Sequence, residues 1–192
     1  EGPLAEFTGY SSGMREREMF EVKAITHRRD AIFQDLSPGH LEMFLLAAAA
    51  QEACLFRIIK RLVPSLQAIH IPAPFTLFMS IKQRAAGQAK QAIFAGLASE
   101  FYMKTVVAVD EDVDISNEQE VWWAIGTRVQ ADRDVFVVPH TLGAGLDPSC
   151  ATEGVTAKMG IDATAKPTLR EYAQRNIVPP EVLERLEKNR LV

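Results

Sequence analysis

The pattern of apolar and polar positions divides the chain into alternating strand-like and helix-like stretches. Residues 18–26 set Phe20, Val22 and Ala24 on one side, the alternation of a strand with one buried face. Ser37-Pro38 then opens a helix, with Ser37 as N-cap and Pro38 at the first helical position. Leu41, Phe44, Leu45, Ala48, Leu55, Ile58, Ile59 and Leu62 recur at helical spacing before Pro64 closes it. Strands are expected near 66–71 and 75–82, joined by Pro72-Ala73-Pro74. An Ala-rich helix follows from Gly87 to Phe101, with Ala89, Ile93, Leu97 and Phe101 as its stripe. The β-branched run Lys104–Val109 marks a strand covered on both faces.

Ser116 with Gln119 reads as a capping box for a helix through Val129, and Asp134–Val138 as another buried strand. Pro139 to about Lys166 reads as loop, and Pro179-Pro180 introduces a last, polar helix from Glu181 to Arg190. The fold class is therefore α/β, a mixed and partly parallel sheet flanked by helices, with a C-terminal helical tail. The short Pro72–Pro74 link calls for an antiparallel pair within that sheet. The expected organisation is a glutamate-bearing segment over 1–14, an α/β domain over 15–168 and a helical tail over 169–192.

Length and composition narrow the classes of function. A chain of 192 residues suits one domain, and a net charge of −4 gives nucleic acid no electrostatic reason to bind. The longest apolar run, Met43–Ala50, is too short to span a bilayer. Cys54 and Cys150 show no CxxC spacing, so a reduced, cytoplasmic protein is the simplest expectation. The absence of an initiating Met suggests a piece of something longer.

Few constellations carry chemistry. The run Asp110–Asp114 fails as a calcium loop, because Ile115 stands where Gly is required and Val121 where the bidentate Glu belongs. It reads instead as a solvated turn before a helix. His27, His40, His70 and His140 form no ligand-spaced pair; His140 draws attention because it follows a strand, where open α/β sheets bind ligands. Gly143-Ala144-Gly145 lacks the third glycine of a dinucleotide loop. Trp122-Trp123 reads as packing.

The first ten residues are the most suggestive. Glu1 and Glu6 bracket Gly2-Pro3, a dipeptide that turns the chain and can bring both carboxylates to one substrate. Carboxylates brought close push their pKa values apart, so one of such a pair can hold a proton while the other is ionised. On spacing alone, two solvated acids at a terminus are the simpler account.

The stretch Glu1–Tyr10 resembles the segment carrying the paired glutamates of the UbiD-type, prenylated-FMN-dependent decarboxylases. Further blocks agree in order: Ile25–Arg28, Val107–Asp114, Trp123-Ala124 with Thr127-Arg128 and Asp132–Asp134, Leu146–Ser149, and Gly160–Thr164. The resemblance implies a non-oxidative, reversible decarboxylase of aromatic or α,β-unsaturated acids, with Glu6 as proton donor and Glu1 as its ionised partner. It implies a covalent adduct between substrate carbon and flavin, loss of carbon dioxide, and protonation by the acid. The implied cofactors are prenylated FMN with a divalent metal and potassium in the full-length enzyme, none being expected in this fragment. The implied partners are the N-terminal flavin-binding domain of the same enzyme, further copies in a homo-oligomer, and a small aromatic acid. Leu142 and Leu146 are candidates for lining the substrate pocket, because their loop leaves a strand end. An oligomerisation or gating module without chemistry of its own, and an unrelated α/β ligand-binding domain, are the alternatives.

Overall fold

In the computed structural model, residues 2–14, 16–152, 154–166 and 175–188 are described. Five strands form one sheet in the order β1-β2-β3-β5-β4. These are β1 (Leu66–His70), β2 (Thr76–Ile81), β3 (Thr105–Asp110), β4 (Val135–Leu142) and β5 (Val155–Asp162). The central trio β2, β3 and β5 is parallel, while β1 and β4 run antiparallel at the two edges. The mixed, partly parallel sheet expected from the alternation is thus present.

Helices cover both faces. The helix α1 (Leu41–Leu62) and α2 (Gln88–Ser99) pack on one side, where Ile59, Leu77, Met79, Ile81, Ile93 and Val106 are fully buried. On the other, α3 (Glu118–Arg128) seats Val121 and Ala124 against Phe78, Val107 and Val109. Successive residues of β3 therefore enter opposite cores, which is why its β-branched run has no polar face. Burying each such side chain contributes roughly 1.5–3 kcal/mol. A short α4 (Ala131–Asp134) precedes β4, and α5 (Pro180–Lys188) ends the described chain.

Several expectations need correction. Residues 18–26 form no strand: Met19, Phe20, Val22 and Ile25 are all exposed, and no neighbouring strand supplies the ladder that alternation requires. The first helix begins at Leu41 with His40 as N-cap, not at Pro38. Gly39 has φ +74°, a left-handed conformation that interrupts the helix, and a Cβ there would lie 2.8 Å from that of Ala5. In α3 the cap is Asn117, whose Oδ1 accepts from the Gln119 amide, because the Ser116 hydroxyl is already donated to Asp114. Asp134–Val138 is not a buried strand either; β4 runs to Leu142 along the sheet edge and is largely half-exposed.

The stretch read as loop from Pro139 to Lys166 holds the whole of β5. Its inward positions are Thr156, Lys158, Gly160 and Asp162, while Val155 and Ala157 are exposed. Residues 189 and 190, placed at the end of the last helix, lie outside the described residues.

Candidate functional site

Residues 4–12 fold into a small hairpin. The Ser12 amide donates to the Leu4 carbonyl at 2.7 Å, the Glu6 amide to Tyr10 at 2.9 Å, and the Gly9 amide to Glu6 at 2.9 Å. Ala5 bridges Ser11. Gly9 supplies the positive φ of the reversal, at +78°. Glu6 is half-buried beside this turn. The Gly2–Pro3 peptide is cis, with Gly2 at φ +103°. Glu1, the second member of the expected pair, lies outside the described residues.

The hairpin docks on the α/β domain. Ala5 abuts Gly39, and the Phe7 ring meets Phe75 at 5.7 Å and Tyr102 at 5.8 Å, edge-on to both. Phe75 immediately precedes β2, and Tyr102 lies three residues before β3, so the hairpin sits at the amino end of the parallel strands. The β4–β5 connection reaches the same end, because β4 is antiparallel: Leu142 pairs with Val155, whereas Met159, four residues further, pairs with Thr105. The loop of Leu142 and Leu146 therefore does not lie beyond the carboxyl ends of the parallel strands, the position that had drawn attention to His140. His140 is exposed at a bulge within β4, with φ +54°.

Two clefts flank the turn Glu100–Met103 at this end, and a third, of about 370 Å³, lies beside the β4–β5 loop at Lys104, His140 and Ser149. Of the flanking two, one, of about 200 Å³, lies beside Phe7 and is lined by Phe44, Gln51, Pro74 and Tyr102. The other, of about 600 Å³, is lined by Phe94, Phe101, Leu142 and Lys158. Leu142 is 72% exposed on its rim, and Leu146 is half-buried under its loop. Lys158, 6% exposed, donates to the carbonyls of Leu97 at 2.7 Å and Glu100 at 3.2 Å, closing the carboxyl end of α2. Burial pushes its ammonium below the usual lysine range.

The β4–β5 loop is pinned by Lys104, whose Nζ lies 2.7 Å from Asp147 Oδ2 and also donates to the Ser149 hydroxyl. Burial raises the pKa of Asp147, but the Lys104 ammonium, with the Ser149 amide and hydroxyl, overrides it and holds the carboxyl well below the ordinary range. The block Leu146–Ser149 thus has a structural meaning: an Asp-Pro-Ser turn that neutralises the lysine immediately before β3.

The opposite, carboxyl end of the strands is filled by charges that satisfy one another. Arg128, its side chain 8% exposed, donates to Asp110 at 3.2 Å and to both oxygens of Asp112 at 3.0 and 2.6 Å. Its guanidinium lies 4.9 Å from the Trp123 ring, which Arg175 also covers at 4.4 Å. Lys166 bridges Asp162 at 2.9 Å and Asp134 at 3.7 Å. The acidic run is the exposed turn expected at Glu111, Asp112 and Asp114; Asp110, half-buried, joins Asp112 as counter-charge for a buried arginine. Phe75, Tyr102 and Lys104 were not singled out from the sequence as part of the site. The signal for them was positional only, since each stands immediately before or near the start of a strand.

Comparison with known proteins establishes the family. Residues 44–163 match the family described as 3-octaprenyl-4-hydroxybenzoate carboxy-lyase C-terminal domain, and residues 1–41 the Rift-related domain of the same carboxy-lyase. Anhydromevalonate phosphate decarboxylase from Methanothermobacter thermautotrophicus is 34% identical over 179 residues, covering 91% of this chain and 42% of that protein. Phenolic acid decarboxylase from Sedimentibacter hydroxybenzoicus is 35% identical over 98% of this chain and 41% of its own. The UbiD-class enzyme HmfF from Pelotomaculum thermopropionicum, solved with FMN, superposes with a TM-score of 0.89 at 37% identity, over 96% of this chain and 42% of that one. The chain thus spans less than half the length of these relatives. An unrelated α/β ligand-binding domain is ruled out by these matches, and the chain belongs to the UbiD family of carboxy-lyases, matching its C-terminal domain and a stretch of its Rift-related domain.

Proposed function

We propose that this chain is the acid-bearing part of a non-oxidative, reversible decarboxylase of aromatic or α,β-unsaturated carboxylic acids. The observation that carries the reading is the Glu-Gly-Pro-Leu-Ala-Glu motif of a family member ending in a hairpin that seats Glu6, half-buried, at one end of the domain. In the net reaction the bond between the substrate carbon and its carboxylate breaks. Carbon dioxide departs, and a proton from the Glu6 carboxyl replaces it on carbon. Glu1 is the ionised partner, and Leu142 and Leu146 contribute to the pocket wall. Positioned acids of this kind accelerate proton transfer by roughly 10²–10⁴-fold.

The cleft beside Glu6's neighbour Phe7 is too small for a flavin, and no metal-ligand cluster forms among the described residues. The cleft beside Phe7, at about 200 Å³, is smaller than the roughly 300–1,000 Å³ of ordinary ligand pockets. In the larger cleft Lys158 already serves two carbonyls. Among the described residues no three His, Cys, Asp or Glu side chains converge for a metal ion. In this reading prenylated FMN and its ions belong with the N-terminal domain of the whole enzyme, and the 192 residues alone are inactive.

The test uses the full-length enzyme matured with prenylated FMN and offered vanillic acid, cinnamic acid and anhydromevalonate phosphate. Glu6→Gln should lower decarboxylation and substrate deuterium exchange by about a hundredfold or more. Unchanged rates in that variant would refute the role of Glu6.

A further inference from the structure

The hydrogen bonds within residues 4–12 shape the hairpin, but they do not attach it to anything else. Its attachment runs through Ala5 against Gly39 and through the ring of Phe7, the residue next to Glu6. That ring is received by two others. Phe75 and Tyr102 lie nearly parallel, 10° apart with centroids at 6.2 Å, and Phe7 meets them at 66° and 72°. Such edge-to-face contacts are directional, so they fix the orientation of the ring as well as its place.

The receiving pair is itself held. The Phe75 carbonyl accepts from the amides of Lys104 and Thr105, both at 2.9 Å, and so ties the start of β2 to the start of β3. Phe75 keeps φ at +63°, a conformation an aromatic residue rarely adopts without surrounding constraint. The Phe101 ring packs on Tyr102 at 4.3 Å.

We propose that Phe7 is the positioning residue for Glu6. Its ring locks the hairpin to the amino end of the parallel strands. The α/β domain, not the exposed segment that follows the hairpin, then decides where the carboxylate lies. This inference rests on the reading of Glu6 as proton donor. The adjoining cleft of about 200 Å³ gives the hairpin room to settle differently once the ring is removed. Displacing an acid by about 1 Å from its productive geometry can cost on the order of a hundredfold in rate.

The experiment uses the full-length enzyme matured with prenylated FMN and assayed on vanillic acid, with amide hydrogen exchange of the flavin-free enzyme as a second readout. Phe7→Ala should lower kcat about ten- to a hundredfold with KM unchanged, and should raise exchange across residues 4–12. Phe7→Tyr should restore both. Tyr102→Leu approaches the same contact from the other side and should reproduce the Phe7→Ala loss; the double variant should be no worse than either single one. Wild-type kcat and wild-type exchange in Phe7→Ala would overturn the inference, as would fully additive losses in the double variant. If Phe7→Ala does not fold, Phe7→Leu and Tyr102→Leu decide by the same readouts. If vanillic acid is not turned over, exchange across the hairpin decides. A Glu6→Gln enzyme that keeps its rate removes the donor role alone, because the exchange data still report whether Phe7 holds the hairpin.

Discussion

Replacing Arg128 with Met should cost stability and leave catalysis alone. The guanidinium makes three hydrogen bonds, at 3.2, 3.0 and 2.6 Å, to Asp110 and Asp112, and lies against the Trp123 ring. Removing one partner of a buried ion pair costs about 3–5 kcal/mol, because the other charge is left stranded. The Asp112 side chain is 36% exposed and regains water, so its share falls to the surface value of roughly 0–1 kcal/mol. Asp110 stays enclosed, and the lost contact with Trp123 adds about 0.5–1 kcal/mol. The expected penalty is therefore about 3 kcal/mol, or some 6–12 °C in Tm for a domain of this size. Arg128→Lys keeps the charge but not the fork, and should lose about half as much. Calorimetry of the intact enzyme gives Tm, and amide exchange of Thr105–Asp110 places the weakening in β3. Asp110 ends β3, and a six-residue strand spans about 20 Å, so the hairpin at the other end should not respond and kcat should hold. A penalty below about 0.5 kcal/mol, or a fall in kcat at unchanged Tm, would refute the reasoning.

Two further outcomes follow from packing and charge. A Cβ at Gly160 would stand 2.4 Å from the Phe136 ring and 2.5 Å from Ile93, so Gly160→Ala should destabilise by about 1–3 kcal/mol, read as a lower urea midpoint at constant m. Burial raises the Asp134 pKa, but hydrogen bonds from Arg133 and the Gln130 amide, with the charge of Lys166, outweigh it and hold the carboxyl down to about 2. A depressed pKa contributes stability that is present above the unfolded value near 4 and is lost as pH falls toward the folded one. Unfolding from pH 5 to 2 should thus show a steep loss that Asp134→Asn flattens; an unchanged slope in that variant would contradict the assignment.

Much of the fold was legible because its apolar pattern was unambiguous. The doubly covered β3 and the alternation of β2 follow from Val106–Val109 and Leu77–Ile81, residues that enter two cores in turn. The strand β5 escaped notice because its inward residues are Thr156, Lys158, Gly160 and Asp162. Those residues serve Asp147, the end of α2, the Ile93 side chain and Lys166, so polarity there marks partners inside the domain. The alternation of Val155, Ala157, Met159 and Ile161 was the available signal. Residues 18–26 erred in the other direction, since alternation promises a strand only where a neighbouring ladder exists. The glutamate motif was legible through its resemblance alone. That Phe7 anchors it, and that Leu142 and the hairpin share one end of the sheet, depend on strand directions that no local pattern specifies.

The separation of the two ends has a practical consequence for altering this protein. The ion-paired cap built from Arg128, Lys166 and their aspartates closes one pole of the sheet, and the connections at the other pole hold none of those charges. Turns such as Gly143–Ala151 are therefore places where loop grafts or length changes can be tried without unpairing that cap, provided Lys104 keeps its anchor in Asp147. Changes made on the Leu142 side of the molecule would leave Trp123 and its arginines untouched.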